Sequence, residues 1–433
     1  MSVSACCRIR APDSASSPCS GRAPGCVRTT KARKWSTSIS SARAHTPAPA
    51  FLGSSPPPAY STRWCPMLLF SHTERCFADP ADLAACRALL SNGSKSFHAA
   101  SFFLPKAVRQ PASALYAFCR IADDAIDCRD DQCAALAELH GRLDRIYAGE
   151  PEAHPVDRAF AGAVRRFHIP RELPDALLDG FAWDAEGRSY HTISGVLDYS
   201  ARVAAAVGAM MTALMGVRAP TVLARACDLG SAMQLTNICR DVGEDARNGR
   251  IYLPLDWLCE AGIDPEELLA EPRFTPALGE VVERVLALAG ALYRRAETGI
   301  ARLPVGCRPG IYAARLLYAE IGHEVARNGF DSVSQRAVVS RARKMALLSQ
   351  AIAVTPFPGG DCDAAPLEEN RFLIDAVAAA PALPGRDATG RPRIGQKVVW
   401  LLDLFETLEE RDRMGQSMER LGGDILPVTR TGG

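Results

Sequence analysis

Apolar residues recur at spacings of three and four along nearly the whole chain from about residue 80. Residues 107–127 show this plainly, with Val108, Ala112, Leu115, Phe118, Cys119, Ala122 and Ile126 at helical spacing. The same period predicts helices over about 196–216, 220–245, 276–302, 308–328, 335–353 and 394–420. Pro174 and Pro254 read as loop punctuation. Asp264-Pro265-Glu266-Glu267 reads as a helix start, with proline at the first helical position and acids in the first turn. Alternating strand-type runs are almost absent, and no internal repeat of about 20–50 residues occurs. The pattern therefore predicts one large all-α domain with its core between helices. Residues 354–393 are rich in Pro, Gly, Asp and Ala and read as a loop before a C-terminal helical extension. No apolar run reaches the roughly 18 residues of a membrane span. The longest, Val203 to Val217, contains Thr212 and two glycines.

Composition changes the picture at the N-terminus. The 433 residues carry a net charge of +1, too balanced for a globally basic nucleic-acid binder. Residues 1–66, however, hold nine Lys/Arg against the single acid Asp13, with thirteen serines and nine prolines. That segment has no apolar periodicity and reads as a disordered leader. Two origins fit it. Translation starts at Met67 and the upstream stretch is an extended reading frame, or the leader is an organelle transit peptide. Three consecutive prolines and several cysteines favour the first. The predicted divisions are thus 1–66, a domain over 67–353, and an extension over 354–433. Fifteen cysteines are scattered without a C-x-x-C pair, and eight histidines form no metal-type spacing. A zinc site or a disulfide scaffold is therefore poorly supported.

Two acidic clusters bring in candidate chemistry. The first lies in Tyr116-Ala117-Phe118-Cys119-Arg120-Ile121-Ala122-Asp123-Asp124-Ala125-Ile126-Asp127, where Asp123 and Asp127 share one helical face. The second lies in Gln234-Leu235-Thr236-Asn237-Ile238-Cys239-Arg240-Asp241-Val242-Gly243-Glu244-Asp245. There Asn237, Asp241 and Asp245 form a stripe at successive turns. Like charges one turn apart destabilise a helix by some tenths of a kcal/mol, so two such stripes call for a compensating cation. Oxygen-only donors suit a hard ion such as Mg²⁺, which commonly takes carboxylates together with substrate phosphates. A lone D-x-x-x-D is ordinarily a solvated face; two of them with neighbouring arginines point to a diphosphate site. Arg120 and Arg250 are candidate diphosphate forks. Ser94-Lys95-Ser96-Phe97 reads as a further polar loop that meets the diphosphate, or as a simple helix cap. Asp124, about 100° around the helix from Asp123, reads equally well as a salt-bridge partner.

At these residues the chain resembles the squalene/phytoene synthase family of head-to-head prenyl transferases. Ser94 to Phe97, Tyr116 to Asp127 and Gln234 to Pro254 resemble three family signatures in order and spacing, and the similarity runs over about 80–353. The resemblance implies an isoprenoid-synthase-type helical bundle with a central apolar channel. It implies condensation of two geranylgeranyl diphosphates to 15-cis-phytoene through prephytoene diphosphate, with release of two diphosphates. The alternative is squalene or dehydrosqualene formation from farnesyl diphosphate. It further implies Mg²⁺, or Mn²⁺, on Asp123, Asp127, Asn237, Asp241 and Asp245, and no NADPH. The substrate-binding set is Ser94, Lys95, Ser96, Phe97, Arg120, Gln234, Asn237 and Arg250. Tyr116 and Tyr252 are expected to contact diphosphate or stabilise developing positive charge. Peripheral membrane contact, passing contact with other carotenoid-pathway enzymes and no nucleic-acid partner are expected. The location is cytoplasmic, or plastid if the leader is a transit peptide. The chain departs from the family at Ala205 and Ala201, where many members carry Gly and Tyr; Tyr199 is present.

Overall fold

A computed structural model describes residues 77–93, 95–127, 131–356 and 360–381. The side chains of Lys95, Ser96 and Asp127 lie outside that description, as do the leader 1–66 and the helix expected over 394–420. All described residues fall in one unit. Among them every element is helical: α1 (Pro80–Gly93), α2 (Lys95–Ser101), α3 (Lys106–Asp127), α4 (Gln132–Ala148), α5 (Pro155–Phe167), α6 (Glu172–Ala185), α7 (Ile193–Ser200), α8 (Ala206–Leu214), α9 (Pro220–Arg247), α10 (Leu255–Glu260), α11 (Pro265–Ala270), α12 (Pro276–Ile300), α13 (Arg308–Arg327), α14 (Arg341–Val354) and α15 (Arg371–Ala379). A π-helical turn, Ala201–Ala205, joins α7 to α8, and a 3₁₀ turn, Glu368–Asn370, precedes α15. The all-α expectation holds.

The long α9 is the spine of the bundle. It packs along its length on α12 and is flanked by α8, the π turn and α13. Close approach is made possible at Gly230, where a Cβ would come within 2.6 Å of the Ala204 carbonyl oxygen and 2.7 Å of Ala205 Cα. The widened turn, which a π-helix provides at the cost of one extra backbone residue per turn, therefore rests directly on the spine. Thr236 on α9 and Tyr293 on α12 share a buried hydroxyl hydrogen bond of 3.0 Å. A second core lies between α1, α3, α4, α5 and α6, where Phe118 stacks on Phe160 at 4.4 Å. Burial of each such ring is worth about 2–3 kcal/mol. A third joins α2 and the start of α3 to α13 and α14.

Four readings of the sequence need correction. Pro174 is not in a loop; it sits in the first turn of α6, where a missing N–H costs nothing. The helix expected from 335 begins at Arg341, capped by the Ser340 hydroxyl. Lys95 to Phe97 are helix and not loop, because Lys95 opens α2. The stretch 354–393 is not all loop, since it contains α15, whose Leu373, Ile374 and Val377 are buried. Pro254 and Asp264 do stand at helix starts; the Asp264 carboxylate accepts from the Glu266 N–H at 2.9 Å. Among the described residues all cysteines are free thiols, and no helix is long and apolar enough to cross a membrane.

Candidate active site

The last turns of α3 and α9 bring the two acidic clusters to one place. Asp123, Asp241 and Asp245 line a polar pocket of about 180 Å³ together with Gln234, Asn237, Arg250 and Tyr252. Asp184, from the end of α6, and Tyr199, from the end of α7, complete it. The neighbouring cavity is larger, about 340 Å³, and overwhelmingly apolar; Leu115, Val207, Met211, Leu229 and Met233 are among its walls. Gln234 and Asn237 line both. They are the junction between a charged chamber and an apolar channel.

Electrostatics in the chamber are strained. Burial pushes the Asp245 carboxyl up to about 7, and the charges of Asp241 and Glu244 add to the shift. Arg240 pairs with Asp241, its Nε donating to Oδ1 at 2.8 Å, and Arg336 reaches the same oxygen at 3.0 Å. Arg336 also meets Glu244 at 3.3 Å. On α3, Arg120 lies 3.4 Å from Asp123 and 2.6 Å from Asp124. Asp124 is thus a salt-bridge partner. The side-chain amide oxygen of Asn237 is buried and accepts no hydrogen bond, which costs about 1–3 kcal/mol in a native protein.

One wall of the chamber is a stack of tyrosines. The Tyr199 and Tyr252 hydroxyls donate to opposite oxygens of Asp184, at 2.8 and 2.7 Å, and their rings stack at 5.1 Å. Tyr190 packs on Tyr199 at 5.2 Å. Burial first, and the Asp184 charge second, raise the pKa of both hydroxyls, so they remain protonated donors. Tyr116 and Phe97 stand elsewhere, on the channel wall, where Phe97 packs on Tyr318 at 5.3 Å and on Tyr116 at 6.3 Å.

The structure therefore gathers Asp123, Gln234, Asn237, Asp241, Asp245, Arg250 and Tyr252 in one chamber. It places Tyr116 and Phe97 in the channel and keeps Arg120 on its own carboxylates. Ser94 lies outside the described residues, Lys95 and Ser96 are described only as backbone at the start of α2, and Asp127 only as the last residue of α3. Sequence reasoning did not find Asp184 or Arg336. Neither belongs to a periodic acidic stripe; only the packing of α6 and of the loop before α14 brings them in.

Among the described residues no three His, Cys, Asp or Glu side chains converge on a metal-sized point. The donor set nevertheless fits a hard cation. It is all oxygen, it includes an unsatisfied amide oxygen, and its Asp245 carboxyl is raised by burial and by the neighbouring charges of Asp241 and Glu244, which a bound cation would offset.

A family model described as squalene/phytoene synthase matches residues 90–343. A phytoene synthase of Cereibacter sphaeroides is 52% identical over 363 residues, covering 80% of this chain and 99% of that one. A phytoene synthase of Rhodobacter capsulatus is 54% identical over 341 residues, covering 77% and 97%. Among solved structures, a dehydrosqualene synthase in complex with ligand superposes with a TM-score of 0.60 at 32% identity, covering 64% of this chain and 97% of that one. The match over most of the described helices, and relatives more than half identical over nearly their whole length, show that the chain belongs to the squalene/phytoene synthase family.

Proposed function

We propose that the chain is a phytoene synthase, joining two geranylgeranyl diphosphates head to head and releasing two diphosphates. The observation that carries this is the junction at Gln234 and Asn237, where a carboxylate-rich chamber opens directly onto an apolar channel. A prenyl diphosphate has the same two-part chemistry, an anionic head and a hydrocarbon tail. The relatives named phytoene synthase, at 52–54% identity over most of the chain, favour C20 substrates over the C15 alternative.

Asp123, Asp127, Asn237, Asp241 and Asp245 would hold Mg²⁺, or Mn²⁺. Bound there, the metal supplies the positive charge that stabilises a departing diphosphate. Arg250 contributes a fork for diphosphate oxygens from the chamber wall. Arg120 joins it once substrate competes for the guanidinium, and Ser94, Lys95 and Ser96 are further candidates for diphosphate contact. Gln234 and Asn237 orient the first carbons of the tail at the junction. Tyr116 and Phe97 present aromatic faces in the channel, where an allylic cation is stabilised by ring quadrupoles. Tyr199 and Tyr252, anchored on Asp184, present fixed aromatic faces to the chamber itself. Apolar walls exclude water, which protects the prephytoene diphosphate stage from hydrolysis. No step requires hydride, so NADPH is not a reactant.

The domain itself would occupy 67–353, with 1–66 a leader and 354–433 an extension. A hydrocarbon product implies work at a membrane surface, in the cytoplasm, or in a plastid if the leader is a transit peptide. Other carotenoid-pathway enzymes are then the natural neighbours, and nucleic acid is not a partner. The test is incubation with geranylgeranyl or farnesyl diphosphate and Mg²⁺, with and without NADPH. A C40 hydrocarbon with a conjugated triene, identified by mass and absorbance, is the expected product, lost on adding EDTA and restored by Mg²⁺ or Mn²⁺. A C30 product made in preference would overturn the reading.

A further inference from the structure

At the far end of the channel from the acids, an arginine forms part of an apolar wall. Arg225 lines the cavity beside Val222, Ala226, Gly299 and Leu303. Its side chain is 1% exposed, and its Nε pairs at 2.8 Å with Asp228, which is 0% exposed. Arg295 pairs with the same Asp228 oxygen at 2.9 Å. Both arginines then grip one segment of backbone outside the wall. Arg225 donates to the carbonyls of Cys362 at 3.3 Å and Ala364 at 2.9 Å, and Arg295 donates to Ala365 at 2.6 Å. The Cys362 thiol donates back to the Thr221 carbonyl on α9 at 3.6 Å. The stem of Arg225 is pressed so closely on α12 that a Cβ at Gly299 would lie 2.2 Å from Arg225 Cβ. Nothing in the chamber chemistry uses this cluster.

Its position on the spine gives it a measure. Arg225 and Asn237 lie on the same helix, so about 18 Å of α9 separates the wall from the junction. An extended prenyl tail grows by roughly 5 Å per isoprene unit, four zigzag carbon–carbon bonds of about 1.5 Å each. Four units thus measure about 20 Å and three about 15 Å. Val222, one turn further along α9, also lines this end of the cavity and carries the span to about 22 Å, enough for a C20 tail and short of the roughly 25 Å of a fifth unit.

We propose that Arg225, locked by Asp228, Arg295 and the 362–365 backbone, is a specificity-determining residue that closes the distal end of the channel and sets the longest tail admitted. Its alkyl stem is the wall and its guanidinium fastens the wall to the strap behind it. The inference rests on the cavity being the prenyl channel.

The test compares kcat/KM for farnesyl, geranylgeranyl and geranylfarnesyl diphosphates in the full chain and two variants. Arg225→Ala shortens the wall. It should raise the C25-to-C20 ratio about tenfold or more, the scale on which a pocket discriminates small apolar increments. Ala226→Leu adds bulk at the same end from a partly buried lining position on α9, where leucine keeps helix propensity, and should shift preference towards C15 by a similar factor. Far-UV circular dichroism and melting establish that each variant is folded. If Arg225→Ala melts early yet its length ratios are unchanged, the cluster is a structural clamp and the proposal falls. If Arg225→Ala does not fold, Ala226→Leu decides, and unchanged ratios there overturn it equally. Wild-type protein that makes no C40 product would sink the proposed function instead; wild-type product with unmoved ratios sinks this inference alone.

Discussion

Replacing Asp245 by asparagine should make the metal-free protein more stable while destroying its catalysis. Burial, with Asp241 and Glu244 nearby, pushes the Asp245 carboxyl up to about 7 from an ordinary 3.8. In the unfolded chain the group ionises near 3.8, so folding loses stability from there up to about 7, and the loss is complete above it. One unit corresponds to about 1.4 kcal/mol, which sets an upper bound of about 4 kcal/mol at pH 8. Partial access of solvent to the chamber reduces this to about 2 kcal/mol. Asparagine is isosteric and uncharged, so the variant escapes the penalty. Urea denaturation in EDTA at pH 5 and pH 8 measures it. The variant should gain about 2 kcal/mol over wild type at pH 8 and less than half of that at pH 5. Saturating Mg²⁺ should stabilise wild type and not the variant. An equal advantage at both pH values, or none at pH 8, would refute the argument that an unbalanced carboxylate cluster strains the empty chamber.

Other outcomes follow from single contacts. Asp241→Ala should keep its far-UV circular dichroism and lose turnover by about 10²–10³-fold or more, since it removes a group aimed at developing charge. Gly243→Ala would place a Cβ 2.6 Å from Val333 Cα and 2.8 Å from its carbonyl oxygen; thermal melting should report a loss of about 1–3 kcal/mol. The Tyr190 hydroxyl is buried without a partner, so Tyr190→Phe should be neutral or stabilising by about 1 kcal/mol in urea titration. Tyr252→Phe should instead destabilise, because it strips a 2.7 Å donor from Asp184.

The parts of this molecule that a sequence reveals are those governed by a single helix. Periodicity located α3 and α9 within a residue or two, and the same period placed Asn237, Asp241 and Asp245 on one stripe. Asp184 escaped because its importance comes from two tyrosines on other segments, Tyr199 and Tyr252, that converge only after folding. Arg336 escaped for the same reason: it stands nearly a hundred positions downstream of the carboxylate it pairs with, in a region read as helix. Pro174 was misleading because proline's prohibition applies to helix interiors and not to a first turn. The helix α15 was hidden by Pro- and Gly-rich flanks on both sides of nine helical residues.

One consequence of the architecture concerns how such a protein can change over time. The acid stripe and the channel wall are carried by one uninterrupted helix of 28 residues, Pro220–Arg247. Inserting or deleting a single residue between Arg225 and Asn237 would turn everything beyond it by about 100°. The carboxylates would leave the chamber at the same stroke that altered the length of the channel. A lineage built on this rod is therefore closed to gradual adjustment by insertions and deletions there. New substrate lengths must arise by exchanging side chains along the rod, or on the helices that face it.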